Sequence, residues 1–274
     1  TVVVRDLTFV ENEIRNGDTG LAAWTGQVVN SNISNNTLRG NSIQVYQPRG
    51  TFDGEAIIRQ NDLDAAVHIG PPNTTIFTEI QSALDNDVPD AEEATPGDTI
   101  TVYGGTYDGS VTVNTPDITI DGAGEGETEL TADSSKTVTI QSKNVELTNL
   151  TIRNTGGGNG IDVPSTVNAS GLRLDGITIE DTSIGFFNDR DGPTFTDVVF
   201  TDLRVLDSER KGIYTESLSN ALFDNVVVNG VESSEHGYNT GIDINLKYGD
   251  YSNVTLRDTV VANVEEGGPS DPAF

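Results

Sequence analysis

GDTITVYGGTYDGSVTVNTPDITIDGAG, residues 97–124, holds three short apolar-alternating runs: Ile100 to Tyr103, Val111 to Val113 and Ile118 to Ile120. Gly-Gly, Asp-Gly and Thr-Pro-Asp cut them apart, so each run reads as a strand and each break as a turn. Nothing between the runs carries a helical period, which excludes a sheet made parallel by helical crossovers. The strands must form hairpins or wind as a solenoid.

The rest of the chain favours the solenoid. An eight-residue phrase recurs, with apolar residues at its first, fourth and sixth positions, Asn, Asp or Gly at the third, and a polar residue or Gly at the eighth. It reads VRDLTFVE from Val4, LTNLTIRN from Leu147, LDGITIED from Leu174, FTDLRVLD from Phe200, FDNVVVNG from Phe223 and LRDTVVAN from Leu256, with a looser copy, ISNNTLRG, from Ile33. A second phrase, Gly-apolar-x-apolar, follows about half a period later at Gly20, Gly160, Gly185, Gly212 and Gly241, with SIQV from Ser42 in the same role. Each repeat therefore supplies at least two strands and two corners. One turn cannot bury its inward side chains by itself, whereas stacked parallel strands about 4.8 Å apart share one continuous core. The third-position Asn or Asp falls at a corner, where side-chain amides can hydrogen-bond from turn to turn. Unequal spacing between copies places loops such as residues 229–240 between the phrases.

One stretch breaks the pattern. TTIFTEIQSALDN, Thr74 to Asn86, puts Ile76, Phe77, Ile80, Ala83 and Leu84 on one helical face, with Thr74 or Thr75 as N-cap, and predicts a short α-helix near residues 75–86. Such a helix would cover the open apolar end of a solenoid.

The run from Ile76 to Gly124 resembles the amino-terminal capping segment of right-handed parallel β-helix proteins of the pectin-lyase-like class. The later phrases resemble its carbohydrate-binding and sugar-hydrolase-like branch. The resemblance spans residues 74–266 and implies an all-β, right-handed parallel β-helix, a fold that serves lyases, hydrolases, adhesins and phage tailspikes alike. It also implies that residues 1–70 are the terminal turns of a preceding β-helix segment and residues 71–274 a second β-helix beginning with its capping helix. A single β-helix with a helical insertion is the alternative.

Asp and Glu number 43 against 15 Lys and Arg, a formal net charge of −28. That balance opposes nucleic-acid partners. Spread along the whole chain, the acids resemble the surfaces of proteins from extreme halophiles, where molar salt screens repulsion to about 3 Å. An acidic secreted protein that binds calcium fits the same composition. Cysteine is absent, which excludes disulfides and thiolate metal sites. Methionine is absent too, so the chain is expected to be a processed or partial segment of an extracellular or cell-surface protein, and no apolar run of about 18 residues marks a membrane span.

Candidate chemistry is sparse. Polysaccharide lyases of this class need clustered acids holding calcium beside a base, and the hydrolases need acids on adjacent turns. NDRDG, Asn188 to Gly192, offers Asp189 and Asp191 as an acid pair or a calcium loop; calcium is the one ion considered, and no cofactor is required. SSEHGYNTG, Ser233 to Gly241, carries His236 and faintly resembles a polygalacturonase triplet, but the accompanying paired acids and later basic triplet are missing. Tyr238, Tyr248 and Tyr251 lie near it in sequence and are candidates for stacking on sugar rings. His68 reads as a linker or end-turn residue. Of the Asn-X-Ser/Thr triplets, Asn73 and Asn168 fall in loops and are the candidate glycosylation sites.

These features predict a structural or adhesive β-helix segment of a larger secreted or surface protein. Its partners would be other copies or upstream segments of the same protein, or a polysaccharide or cell-surface glycan. A polysaccharide lyase or glycoside hydrolase module is the alternative, and a viral tailspike or fibre a further one.

Overall fold

The computed structural model describes residues 2–24, 26–49, 52–71, 74–85, 91–188, 195–232, 239–245 and 251–265. They form an all-β solenoid of about 9 turns with two short helices, the architecture of a parallel β-helix. The chain divides into two units, Thr1–Tyr107 and Asp108–Phe274, and the stretch quoted above spans the division.

In the first unit, Val3–Arg5, Thr8–Val10, Glu13–Arg15 and Thr19–Ala22 pair in parallel with Gln27–Val29, Asn32–Ser34, Thr37–Arg39 and Ile43–Tyr46. The register is constant: Val3 lies on Gln27, Thr8 on Asn32, Glu13 on Thr37 and Thr19 on Ile43. Between strands the chain turns at Asp6, Glu11 and Asn16, then at Asn30, Asn35 and Gly40 one turn later, all in the left-handed region. Short polar side chains and glycine tolerate that conformation, which is why five of these six corners are Asn, Asp or Gly, with Glu11 the exception. An asparagine ladder runs beneath: Asn36 Nδ2 donates to Asn61 Oδ1 at 2.8 Å, and Asn12 Nδ2 donates to Asn36 Oδ1 at 3.0 Å.

A helix that the sequence reading did not anticipate, α1 (Gly54–Gln60), covers this stack. Asp53 caps it by accepting from the Ala56 amide at 3.0 Å, and Ile57 packs in a cluster with Val45, Ala66 and Ile76. Asn61 closes its far end, donating both to the Ile57 carbonyl at 2.8 Å and to the Ile33 carbonyl at 2.9 Å. The expected capping helix is present but shorter than read: α2 spans Ile80–Asp85, while Ile76–Phe77 form a strand. Val45 and Ile43 claim Ile76 and Phe77 through antiparallel pairing, which outweighs their helical spacing.

Val67–Ile69 also runs antiparallel to Thr99–Val102, with Ile69 opposite Ile100 and Val67 opposite Val102. In the second unit Val111–Val113 lies in parallel register on Lys136–Ile140, with Val113 on Ile140. His68 lies on the antiparallel ladder, 3% exposed, with its ring 5.7 Å from that of Tyr103. Burial holds its imidazole below the ordinary 6.5, an effect partly offset by the Gly70 backbone. The folded state thus resists a proton that the unfolded chain accepts below that value. Stability should be level above about pH 6.5 and decline as pH falls below it, and H68Q should flatten that slope in urea midpoints.

The second unit is a three-faced parallel helix. On one face Val111–Val113, Lys136–Ile140, Asn159–Val163 and the segments around Phe186, Ile213 and Ile242 stack in order. On the next, Ile120, Leu147, Leu174, Phe200, Phe223 and Leu256 form one column. On the third, Leu130, Ile152, Ile179, Val205, Val228 and Val261 form another. Strands Arg173–Asn188 and Phe195–Glu216 bend through corners without losing their pairing. The third residue of every copy of the eight-residue phrase, including Asn149, Asp202, Asn225 and Asp258, adopts positive φ. Third-position amides link turns as expected: Asn225 Nδ2 donates to Asp202, and Asn149 Nδ2 to Asp121 at 2.9 Å; other corners do the same, Asn144 Nδ2 donating to Asp117 at 2.8 Å. The inward columns are buried until the last described rung, where Leu256 and Val261 are 44% and 47% exposed.

The Gly-apolar-x-apolar phrase has a steric cause. At Gly160, Gly185, Gly212 and Gly241 the strand passes directly over a residue of the third face, and an added Cβ would lie 2.2–2.5 Å from Ile179, Val205, Val228 and Val261 respectively. Only hydrogen fits there.

Candidate functional site

Parallel register stacks the x positions of that phrase, Asp162, Phe187, Tyr214 and Asp243, into one column on the first face of the second unit; Asp162 is buried and the other three are partly exposed. Four rungs span about 14 Å at the spacing of parallel strands. The middle two are aromatic: the Phe187 and Tyr214 rings stack with centroids 5.4 Å apart and planes 14° from parallel, and both are partly exposed. The outer two are carboxylates held by lysines. Lys136 Nζ lies 2.7 Å from Asp162 Oδ1, and Asn159 Nδ2 donates to Asp162 Oδ2 at 3.2 Å. Lys211 pairs with Asp243, and its Nζ also lies 4.5 Å from the centre of the Tyr214 ring, a cation–π contact.

A polar cluster supports the tyrosine. Its hydroxyl donates to Glu216 Oε1 and accepts from Asn245 Nδ2 at 2.9 Å; the same amide donates to Glu216 at 3.1 Å. Asn188 Oδ1 accepts from the Glu216 amide at 3.2 Å, tying adjacent rungs. Burial, then the hydrogen bond to the Glu216 carboxylate, push the Tyr214 phenol up to about 12. The phenol therefore stays protonated throughout the neutral range, fixing the ring against the sheet as an uncharged platform.

The partly exposed Phe187 and Tyr214 rings are bordered by oriented acceptors and ammonium groups. A sugar ring offers an apolar C–H face and equatorial hydroxyls to those two features. Among the described residues no group of three His, Asp or Glu side chains is placed to hold a metal ion.

Asp189, Asp191, His236, Tyr238, Tyr248 and Asn73 lie outside the described residues. Tyr251 is described and adjoins the cluster: its hydroxyl accepts from the Ser217 amide at 2.7 Å and donates to the Asn245 carbonyl. It staples the chain behind the strip. Asn168 is exposed in the connection between Asn159–Val163 and Arg173–Asn188. His68 belongs to the first unit's antiparallel ladder.

Sequence reasoning did not find Asp162, Phe187, Asp243, Glu216 or the two lysines as a group. The available signal was the x position of the second phrase, which reads Asp, Phe, Tyr, Asp down successive copies. Aligning the copies vertically would have shown an aromatic pair between acids.

No family model matches the sequence, and no curated protein matches it. Solved structures do. A pectin methylesterase mutant in complex with a hexasaccharide has 15% identity over 68% of this chain and 62% of its own, with a TM-score of 0.41. Pectin methylesterase PemA from Erwinia chrysanthemi has 15% identity over 66% and 62%, with a TM-score of 0.39. The chain thus spans about 62% of the length of each. Neither likeness bears on the activity of this chain.

Proposed function

We propose that the chain is a structural, adhesive β-helix segment of a secreted or cell-surface protein, and that the strip at Asp162, Phe187, Tyr214 and Asp243 holds a glycan. The observation carrying this reading is the stacked, partly exposed Phe187–Tyr214 pair between two carboxylates that are each held by a lysine. A neutral glycan is favoured over a uronate polymer. Both lysines of the strip already face carboxylates, and the net charge of −28 repels polyanions. The same charge suits a high-salt environment, in which that repulsion is screened.

The test is binding of the intact chain to a panel of immobilised neutral and uronate polysaccharides, with soluble products assayed in parallel. A neutral polymer should bind without being shortened, and Tyr214→Ala should weaken it about tenfold, equivalent to about 1.4 kcal/mol. Release of shortened or unsaturated products would replace adhesion by catalysis. Running the panel in dilute and in molar salt tests the environment: a chain fully folded in dilute buffer without divalent ions would remove the high-salt part of the proposal.

A further inference from the structure

Six Asn-X-Ser/Thr triplets occur in the sequence, and five of their asparagines, Asn32, Asn35, Asn149, Asn168 and Asn253, are described. Four of these are built into the solenoid. Asn32 lies in a strand whose Ser34 pairs with Val10, and the Ser34 hydroxyl donates to Asn32 Oδ1 at 2.7 Å. Asn35, Asn149 and Asn253 sit at left-handed corners, with φ of 56°, 57° and 54°. In each, the hydroxyl residue two positions on is locked in a paired strand: Thr37 opposite Glu13, Thr151 opposite Thr178, and Thr255 opposite Leu222. The Nδ2 atoms of Asn149 and Asn253 also donate to Asp121 and Asn220, both at 2.9 Å, so a substituent on either would break a link between turns.

Asn168 differs on each point. It lies outside any strand, is exposed, and its backbone is not at a stacked corner. Its Oδ1 accepts from the Ser170 amide at 3.0 Å, folding the triplet into a local side-chain turn. That bond uses the oxygen and leaves Nδ2, the reactive atom, on an exposed side chain.

We propose that Asn168, alone among these five, carries an N-linked glycan in the folded protein. The donor would be a sugar linked through its anomeric carbon to a lipid diphosphate. Asn168 Nδ2 attacks that carbon and forms the C–N bond, the C–O bond to phosphate breaks, the lipid diphosphate leaves with the electron pair, and the Nδ2 proton passes to a base of the transferase. The inference rests on the exported location proposed above, and its test fixes that location by experiment. The full chain is exported behind an added signal from a cell that glycosylates asparagine, and the soluble folded fraction is mapped by peptide mass spectrometry. Binding of polysaccharide is measured separately on unglycosylated chain, so one result does not decide the other. The expected result is a glycan mass on the Asn168 peptide, none on the Asn32, Asn35, Asn149 or Asn253 peptides, and its loss in N168Q with the fold retained. An unmodified Asn168 in exported, folded chain overturns the proposal, as does equal occupancy at Asn149 or Asn253.

Discussion

Phe200→Ala is expected to lower the unfolding free energy of the second unit by about 3–5 kcal/mol, measured by urea denaturation. Phe200 is fully buried between Leu174 and Phe223 of its column, its ring stacked on that of Phe223 at 4.8 Å and 4° and met edge-on at 4.8 Å and 68° by Phe186 of the first face. Truncation removes the contacts of a whole ring. The cavity cannot collapse easily, because the hydrogen-bonded rungs around it fix the spacing of the strands. Phe200→Leu keeps most of the volume and should cost much less, on the order of 1.5 kcal/mol. Since each rung contacts mainly its neighbours, faster amide exchange in F200A should centre on the rungs of Leu174 and Phe223. Equal exchange along the whole unit, or a loss no larger than that of F200L, would contradict the packing described.

Gly212→Ala should be nearly as damaging, about 3 kcal/mol, although it adds a single methyl group. The new Cβ would lie 2.3 Å from Val228 Cγ1 and 2.6 Å from the Gly241 carbonyl oxygen. The first neighbour is a side chain that can be shortened. The second is the backbone of the next rung and cannot withdraw without stretching the ladder. Val228→Ala in the G212A background should therefore recover only part of the loss, a non-additivity readable from a double-mutant cycle. Full recovery would show that the side chain is the sole obstacle, and no loss in G212A would show that the glycine column is not close-packed.

These two positions show what the sequence made legible. The first, fourth and sixth residues of the eight-residue phrase became the inward columns, and its third became the left-handed corner, because period-2 alternation and αL tolerance are local properties of residue types. The glycines of the second phrase were visible as a pattern, but their cause was not. It lies two faces further along the chain, at Val205, Val228 and Val261.

The helix α1 escaped notice because the apolar residues among its seven, Ala56, Ile57 and Ile58, are consecutive and show no period; Asp53, Glu55 and Arg59 were its surviving signals. The opposite error lengthened α2. Ile76 and Phe77 continue its helical face in sequence, while the antiparallel partners that claim them, Val45 and Ile43, are far along the chain.

The candidate site was less legible still. Its members come from five rungs, and the residue that aligns them is a glycine rather than a chemically telling side chain. Lys136 and Asp162, or Lys211 and Asp243, are 26 and 32 positions apart in sequence and meet only through register. Loop motifs such as NDRDG draw attention because their acids are adjacent in sequence. A solenoid assembles its surface chemistry across turns, so the informative reading runs down the column.

Hydroxyl-radical footprinting of the intact chain reads directly whether a saccharide lies on the Phe187–Tyr214 column. With a saturating neutral polysaccharide, oxidation of Phe187 and Tyr214 should fall several-fold while that of Phe52 and Tyr103 in the first unit stays unchanged. Bound polysaccharide with undiminished oxidation at both Phe187 and Tyr214 would contradict it.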